Sequence, residues 1–130
     1  MTTVIRAIYT ELRRPDDQSV DWYGWLTAQS GHALLGVALA GAWVQAGGDA
    51  LTAWIVVGVV YAAAKELPDY AVAPGWRTAR DCLRDALFVS GGAGLAATLA
   101  TGSLLYWLAL AAIAAGLAIG TYQRAARALA

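Results

Sequence analysis

Apolar positions fall into four long blocks along the chain, separated by short polar punctuation. The first runs from about Gln29 to Ala46 through GHALLGVALAGAWVQA. The second, LTAWIVVGVVYAAA, starts near Ala50 and stops at Lys65-Glu66, where Pro68 opposes continuation of a helix because it lacks an amide hydrogen and crowds the preceding turn. The third begins amphipathically near Thr78 and is uninterrupted apolar sequence from Ala86 to Ala100. The fourth extends from Ser103 to about Gly120 and gives way to the polar tail TYQRAAR. A bilayer-crossing helix needs about 20 mostly apolar residues, and the connections Gly47-Gly48-Asp49 and Thr101-Gly102 are short. The pattern predicts an all-α polytopic membrane protein, with four transmembrane helices in two tight hairpins over residues 29–120.

The first 28 residues read differently. Ile5, Ile8, Tyr9 and Leu12 share one helical face, and the run Arg13-Arg14-Pro15-Asp16-Asp17 separates them from the first span. A cleavable signal would place its basic stretch directly before the apolar core. The expectation is a cytoplasmic amphipathic segment over 1–28 containing a short helix on the membrane surface, with Trp22, Tyr23 and Trp25 in the interfacial belt. Residues 121–130 are expected to form a cytoplasmic tail.

Composition sharpens this picture. Of 130 residues, 59% are hydrophobic and 14% charged, against about 25% charged in ordinary soluble domains. Nine basic and nine acidic residues cancel, so no net field recruits nucleic acid. The single cysteine, Cys82, excludes a disulfide framework and a cysteine-rich metal site, and the single histidine excludes a bis-histidine haem within one chain. All nine Lys and Arg residues lie before the first span, in the 65–84 connection or in the C-terminal tail, while the two opposite loops hold one acid, Asp49, and no base. Short Lys/Arg-rich loops stay cytoplasmic. Four spans therefore place both termini inside.

Small residues recur at helical spacing: Gly36, Ala40 and Gly41 in the first span, Ala86, Ser90 and Gly94 in the third, Ala112, Gly116 and Gly120 in the fourth. Such faces let helices approach closely in lipid, serving either packing within one bundle or self-association of several copies.

Ionisable residues at membrane depth are costly and commonly functional. The predicted topology gathers His32 at the start of the first span, Lys65, Glu66 and Asp69 at the end of the second, and Asp81 and Asp85 at the start of the third, all on the cytoplasmic side. His32, Glu66, Asp81 and Asp85 are the candidate site residues. Three chemistries fit them: a divalent cation held by carboxylates and one imidazole, general acid–base work by His32 on a lipid-borne substrate, or a proton or ion relay. The opposing reading is local charge pairing, Lys65 with Asp69 and Asp81 with Arg77 or Arg84 at i,i+4 or i,i+3. No nucleophile elbow or phosphate-binding glycine loop is present; Ser90-Gly91-Gly92-Ala93-Gly94 lies deep in an apolar span and reads as packing.

The order Gly31-His32 … Lys65-Glu66-x-x-Asp69 … Asp81-x-x-x-Asp85 … Gly94 resembles the skeleton of the VanZ-like group of small bacterial and phage-borne membrane proteins. The resemblance covers about residues 30–95 and carries over His32, Glu66, Asp81 and Asp85 as the positions of interest. Asp85 stands where that group commonly has Asn, and no Asp-Lys pair precedes His32. The group is associated with the cell envelope and antibiotic tolerance rather than with a defined reaction. Two functions from different classes follow. One is a membrane protein whose cytoplasmic-side polar site binds or acts on a lipid-linked or ionic ligand. The other is a holin-like pore former or small scaffold subunit of a larger membrane complex, working as a homo-oligomer through its Ser90–Gly94 and Ala112–Gly120 stripes.

Overall fold

The computed structural model describes residues 21–129 and is all-helical, with no strand among the described residues. The N-terminal surface helix expected at Val4–Leu12, with Arg6, Arg13 and Arg14, lies outside the described residues. Four helices follow: α1 (Trp22–Gln45), α2 (Ala50–Val72), α3 (Trp76–Ala100) and α4 (Leu105–Ala128).

Local chemistry sets their ends. The Asp21 carboxylate caps α1 by accepting the Gly24 amide at 2.9 Å, and the Asp49 carboxylate caps α2 by accepting the Thr52 amide at 2.7 Å. These bonds satisfy amides that a helix start otherwise leaves unpaired. The two tight connections use one device. After α1, Gly47 adopts φ +87°, its amide donates to the Val44 carbonyl, and the Gly48 amide donates to Trp43. After α3, Gly102 adopts φ +63°, its amide donates to Leu99 and that of Ser103 to Thr98. Both are Schellman turns, in which a left-handed glycine ends the helix and returns the orphan carbonyls to partners.

Three boundaries differ from the sequence expectation. α1 begins seven residues before Gln29, so Trp22, Tyr23 and Trp25 lie within its first turns, and Trp25 is buried rather than interfacial. α2 does not stop at Lys65-Glu66. It passes through a π-helical turn at Ala62–Glu66, in which the Leu67 amide reaches back five residues to the Ala62 carbonyl. One extra residue in the turn relieves the helix where Pro68 has no amide to give. α4 continues through most of the supposed tail to Ala128, and Arg124 within it is buried.

α1 and α3 form the central pair; α2 and α4 flank it and do not touch each other. At the crossing of the central helices, a Cβ on Gly36 would overlap the Val89 carbonyl, and one on Gly92 would overlap the Ala33 carbonyl. Backbone meets backbone there. One buried cluster, Ala40, Ala53, Val57, Val89 and Ala93, joins α1, α2 and α3. A second, Trp25, Ala33 and Phe88, extends to Ile113 and Leu117 of α4. Trp54 of α2 packs over Gly94 and bonds the Ser90 hydroxyl at 3.3 Å, Phe88 faces Gly116, and the Trp25 indole occupies the space above Gly120. The Ser90–Gly94 face and the Gly116–Gly120 part of the α4 stripe are thus occupied within the chain, whereas Gly41 faces open space.

The outside is apolar. Leu34, Val59, Leu87, Leu99, Leu108 and Ile119, from all four helices, lie exposed. Two helices, α2 and α4, are long and apolar enough to cross a membrane; only 17% and 6% of their most apolar windows are buried inside the protein, unlike the core helix of a soluble domain. α1 and α3 fall short of that composition because their polar residues, Gln29 and His32 on one and five charges between Arg77 and Asp85 on the other, concentrate at one end. That end is where the candidate residues meet.

Candidate functional site

Gln29 and His32 stand three residues apart on α1 and so share a face, turned toward α3. Gln29 is buried, and its Nε2 donates to Asp85 Oδ1 at 2.8 Å. His32 Nδ1 lies 3.7 Å from the same oxygen, an electrostatic contact longer than a hydrogen bond. That nitrogen is enclosed and has no hydrogen-bond partner among the described residues, while the side chain as a whole keeps 22% of its surface exposed. The imidazole stands edge-on to the Tyr61 ring of α2, with centroids 5.8 Å apart.

Behind Tyr61 is Glu66. The π-helical turn carries it, and widening the turn rotates its side chain inward, where it is 5% exposed. Tyr61 and Cys82 are its polar neighbours; the Cys82 thiol also donates to the Glu66 main-chain carbonyl at 3.4 Å. Oε1 of Glu66 has no hydrogen-bond partner among the described residues. Enclosing a carboxylate in this way is costly, and the adjacent Lys65 ammonium is hydrogen-bonded to Asp69 instead. One polar chain therefore crosses three helices, from Gln29 through Asp85, His32 and Tyr61 to Glu66 and Cys82.

Asp81 is not part of it. Its side chain is 55% exposed and pairs with Arg84 at 2.7 Å, so one helical turn separates an acid on the outer rim from Asp85, 24% exposed, on the inner face. Local pairing thus describes Asp81 and Asp69, while Asp85 and Glu66 have turned inward. Among the described residues, no three His, Cys, Asp or Glu side chains stand close enough to share a metal ion. The convergence of four candidate residues that a divalent cation would need is not found: His32 meets Asp85, Glu66 is screened by Tyr61, and Asp81 faces away.

Sequence reasoning missed Gln29, Tyr61 and Cys82. A signal for Gln29 existed in its i,i+3 spacing from His32; its neutrality hid it. No family model, curated protein or solved structure matches the chain, and the site is read from its own geometry.

Proposed function

We propose that the chain is a four-span protein of the bacterial inner membrane, two tight helical hairpins with both termini in the cytoplasm, whose cytoplasmic-side His32–Asp85 pair binds and acts on a lipid-linked ligand. The observation that carries this reading is the asymmetry of the imidazole. Its inner nitrogen is enclosed and faces a carboxylate held by a third residue, so the 22% of the side chain that stays exposed belongs to the rest of the ring. A base oriented by an acid, with its lone pair open to a ligand, is the arrangement general acid–base chemistry requires. Asp85 fixes the tautomer and stabilises the imidazolium that forms when Nε2 takes a proton; Gln29 holds Asp85. The partner is the lipid bilayer itself, because the site lies among helices whose outer faces are apolar. The charge distribution and the spacing shared with the VanZ-like group support a cell-envelope setting.

Nitrogen-15 spectroscopy of the lone histidine, in phosphatidylcholine nanodiscs, tests the reading. The neutral ring is expected to carry its proton on Nδ1 in the wild type and to lose that preference in Asp85→Asn. Phosphatidylglycerol added to the disc is expected to perturb Nε2. A histidine indifferent both to Asp85→Asn and to the added lipid has no such role.

A further inference from the structure

A groove of about 400 Å³ runs between α1 and α2 on the outer side of the site. Leu39 and Trp43 of α1 and Val57 and Val60 of α2 make its apolar length; Tyr61 and Lys65 close one end, and Lys65 is the one charged residue lining it. Tyr61 is shared with the site, its ring presented to His32.

From the shape, the charge and this continuity we infer that the groove seats one acyl chain of an anionic glycerophospholipid of the cytoplasmic leaflet, with the headgroup phosphate at Lys65. The inference rests on the proposed function and names its ligand class.

Length favours that occupant. From Val56 to Lys65 the helical rise amounts to roughly 13 Å. One leaflet contributes about half of a hydrocarbon core about 30 Å thick, so a chain belonging to one leaflet fits the groove end to end. Charge favours it too. The proposed topology puts Lys65 toward the cytoplasmic side, where a lysine stem lies along apolar surface and lifts its ammonium to the phosphates. Asp69 now holds that ammonium through a bond one turn away, with both side chains partly exposed. A phosphate arriving at Lys65 competes with Asp69, and its lipid is then held with the headgroup one helical turn from Tyr61, the residue shared with the site.

The test uses the full chain in nanodiscs and phosphatidylglycerol carrying a diazirine in mid-acyl chain. Cross-links are expected at Leu39, Trp43, Val57 and Val60, and competition by unlabelled phosphatidylglycerol is expected to remove them while phosphatidylcholine does not. Lys65→Gln is expected to weaken retention about tenfold, the loss of one charge-assisted contact. Asp69→Asn, which frees the ammonium, is expected to strengthen it and so guards against a Lys65→Gln that merely disturbs the fold. Cross-links spread evenly over the outer faces of α2 and α4, whatever the headgroup, would mean ordinary annular lipid and overturn the inference. Better competition by a long isoprenoid phosphate than by phosphatidylglycerol also overturns it. Groove-specific retention with a His32 spectrum blind to the lipid would uphold the groove and sink the catalytic reading; the reverse pattern would sink the groove alone.

Discussion

Gln29 Nε2 donates to Asp85 Oδ1 at 2.8 Å and thereby holds on α3 the carboxylate that His32 faces from the same helix as Gln29. The acid is positioned by an amide, not by the imidazole, because the His32–Asp85 separation of 3.7 Å is longer than a hydrogen bond.

Gln29→Leu should therefore act twice. It leaves Asp85 without its amide donor, at a cost of about 1.5–3 kcal/mol for a lost hydrogen bond to a charged group, read as a lowered unfolding midpoint in detergent. It also frees Asp85 to close on His32, so the Nδ1-protonated tautomer should strengthen in the nitrogen-15 spectrum. A variant that loses stability without any change in that spectrum would mean Gln29 is structural only.

The α1–α3 crossing makes a sharper stability prediction. Because a Cβ at Gly36 or Gly92 would meet opposing carbonyls, Gly36→Ala and Gly92→Ala should push the helices apart and cost about 1–3 kcal/mol or more. Gly41→Ala, facing open space, should stay within about 0.5 kcal/mol of wild type. Thermal unfolding of the three variants, compared under one detergent condition, decides this.

These residues show which parts of the fold the sequence could report. The helix ends at Gly47 and Gly102 were legible because a left-handed turn after an apolar run demands glycine. The π-helical turn was not, since Ala62-Ala63-Ala64 suits any helical register and Pro68 argues for a stop unless the turn ahead of it widens. Arg124 near the chain end reads as tail, yet tertiary packing with Trp25 encloses it. The site was half legible. His32 and Asp85 were found as ionisable residues at one end of adjacent helices, but Asp81 and Asp85, four apart and nominally on one face, differ in fate because Arg84 captures the outer one.

The loop between α1 and α2 carries a pH signature. The Thr52 amide holds the Asp49 carboxyl below the usual carboxylate range, where the unfolded chain titrates near about 3.9. A depressed folded pKa contributes stability in full above the unfolded value and loses it as the pH falls through the folded one. Asp49→Asn keeps a capping oxygen but no titration. The difference in unfolding midpoint between wild type and Asp49→Asn should thus be constant at neutral pH and shift against the wild type below about pH 4.

Trp25 ties three helices together. Its ring lies edge-on to Phe88 with centroids 6.1 Å apart, stands over Gly120, and carries the Arg124 guanidinium 4.2 Å from its centroid. Truncation of a buried indole costs about 3–5 kcal/mol, so Trp25→Ala should be among the most damaging single changes. A double-mutant cycle on Trp25→Leu and Arg124→Gln isolates the cation–ring contribution from the other contacts of each residue, and a coupling of about 0.5–2 kcal/mol is expected. A coupling near zero would assign the burial of Arg124 to its hydrogen bond with the Gly120 carbonyl and its remaining partners.

Topology is the premise on which the proposed site depends, and charge makes it testable. Lys65, Arg77, Arg80, Arg84, Arg124 and Arg127 all belong to one end of the helical assembly, whereas the Gly47–Asp49 and Thr101–Gly102 turns at the other end hold no base. Cytoplasmic retention of basic loops then predicts that a reporter inserted after Gly48 or Gly102 is active in the periplasm, and one fused after Ala130 or before Met1 in the cytoplasm. Moving bases across tests the cause: two lysines placed at Gly48 and Asp49, with Arg77 and Arg80 changed to Gln, should weaken the orientation and yield mixed reporter activity at the C-terminus. Opposite locations for the two termini in the wild type would mean an odd number of crossings. His32 and Asp85 would still face each other at one end of the helices in that case, but the charge rule would no longer assign that end to the cytoplasmic leaflet, and the lipid proposed for it would lose its basis.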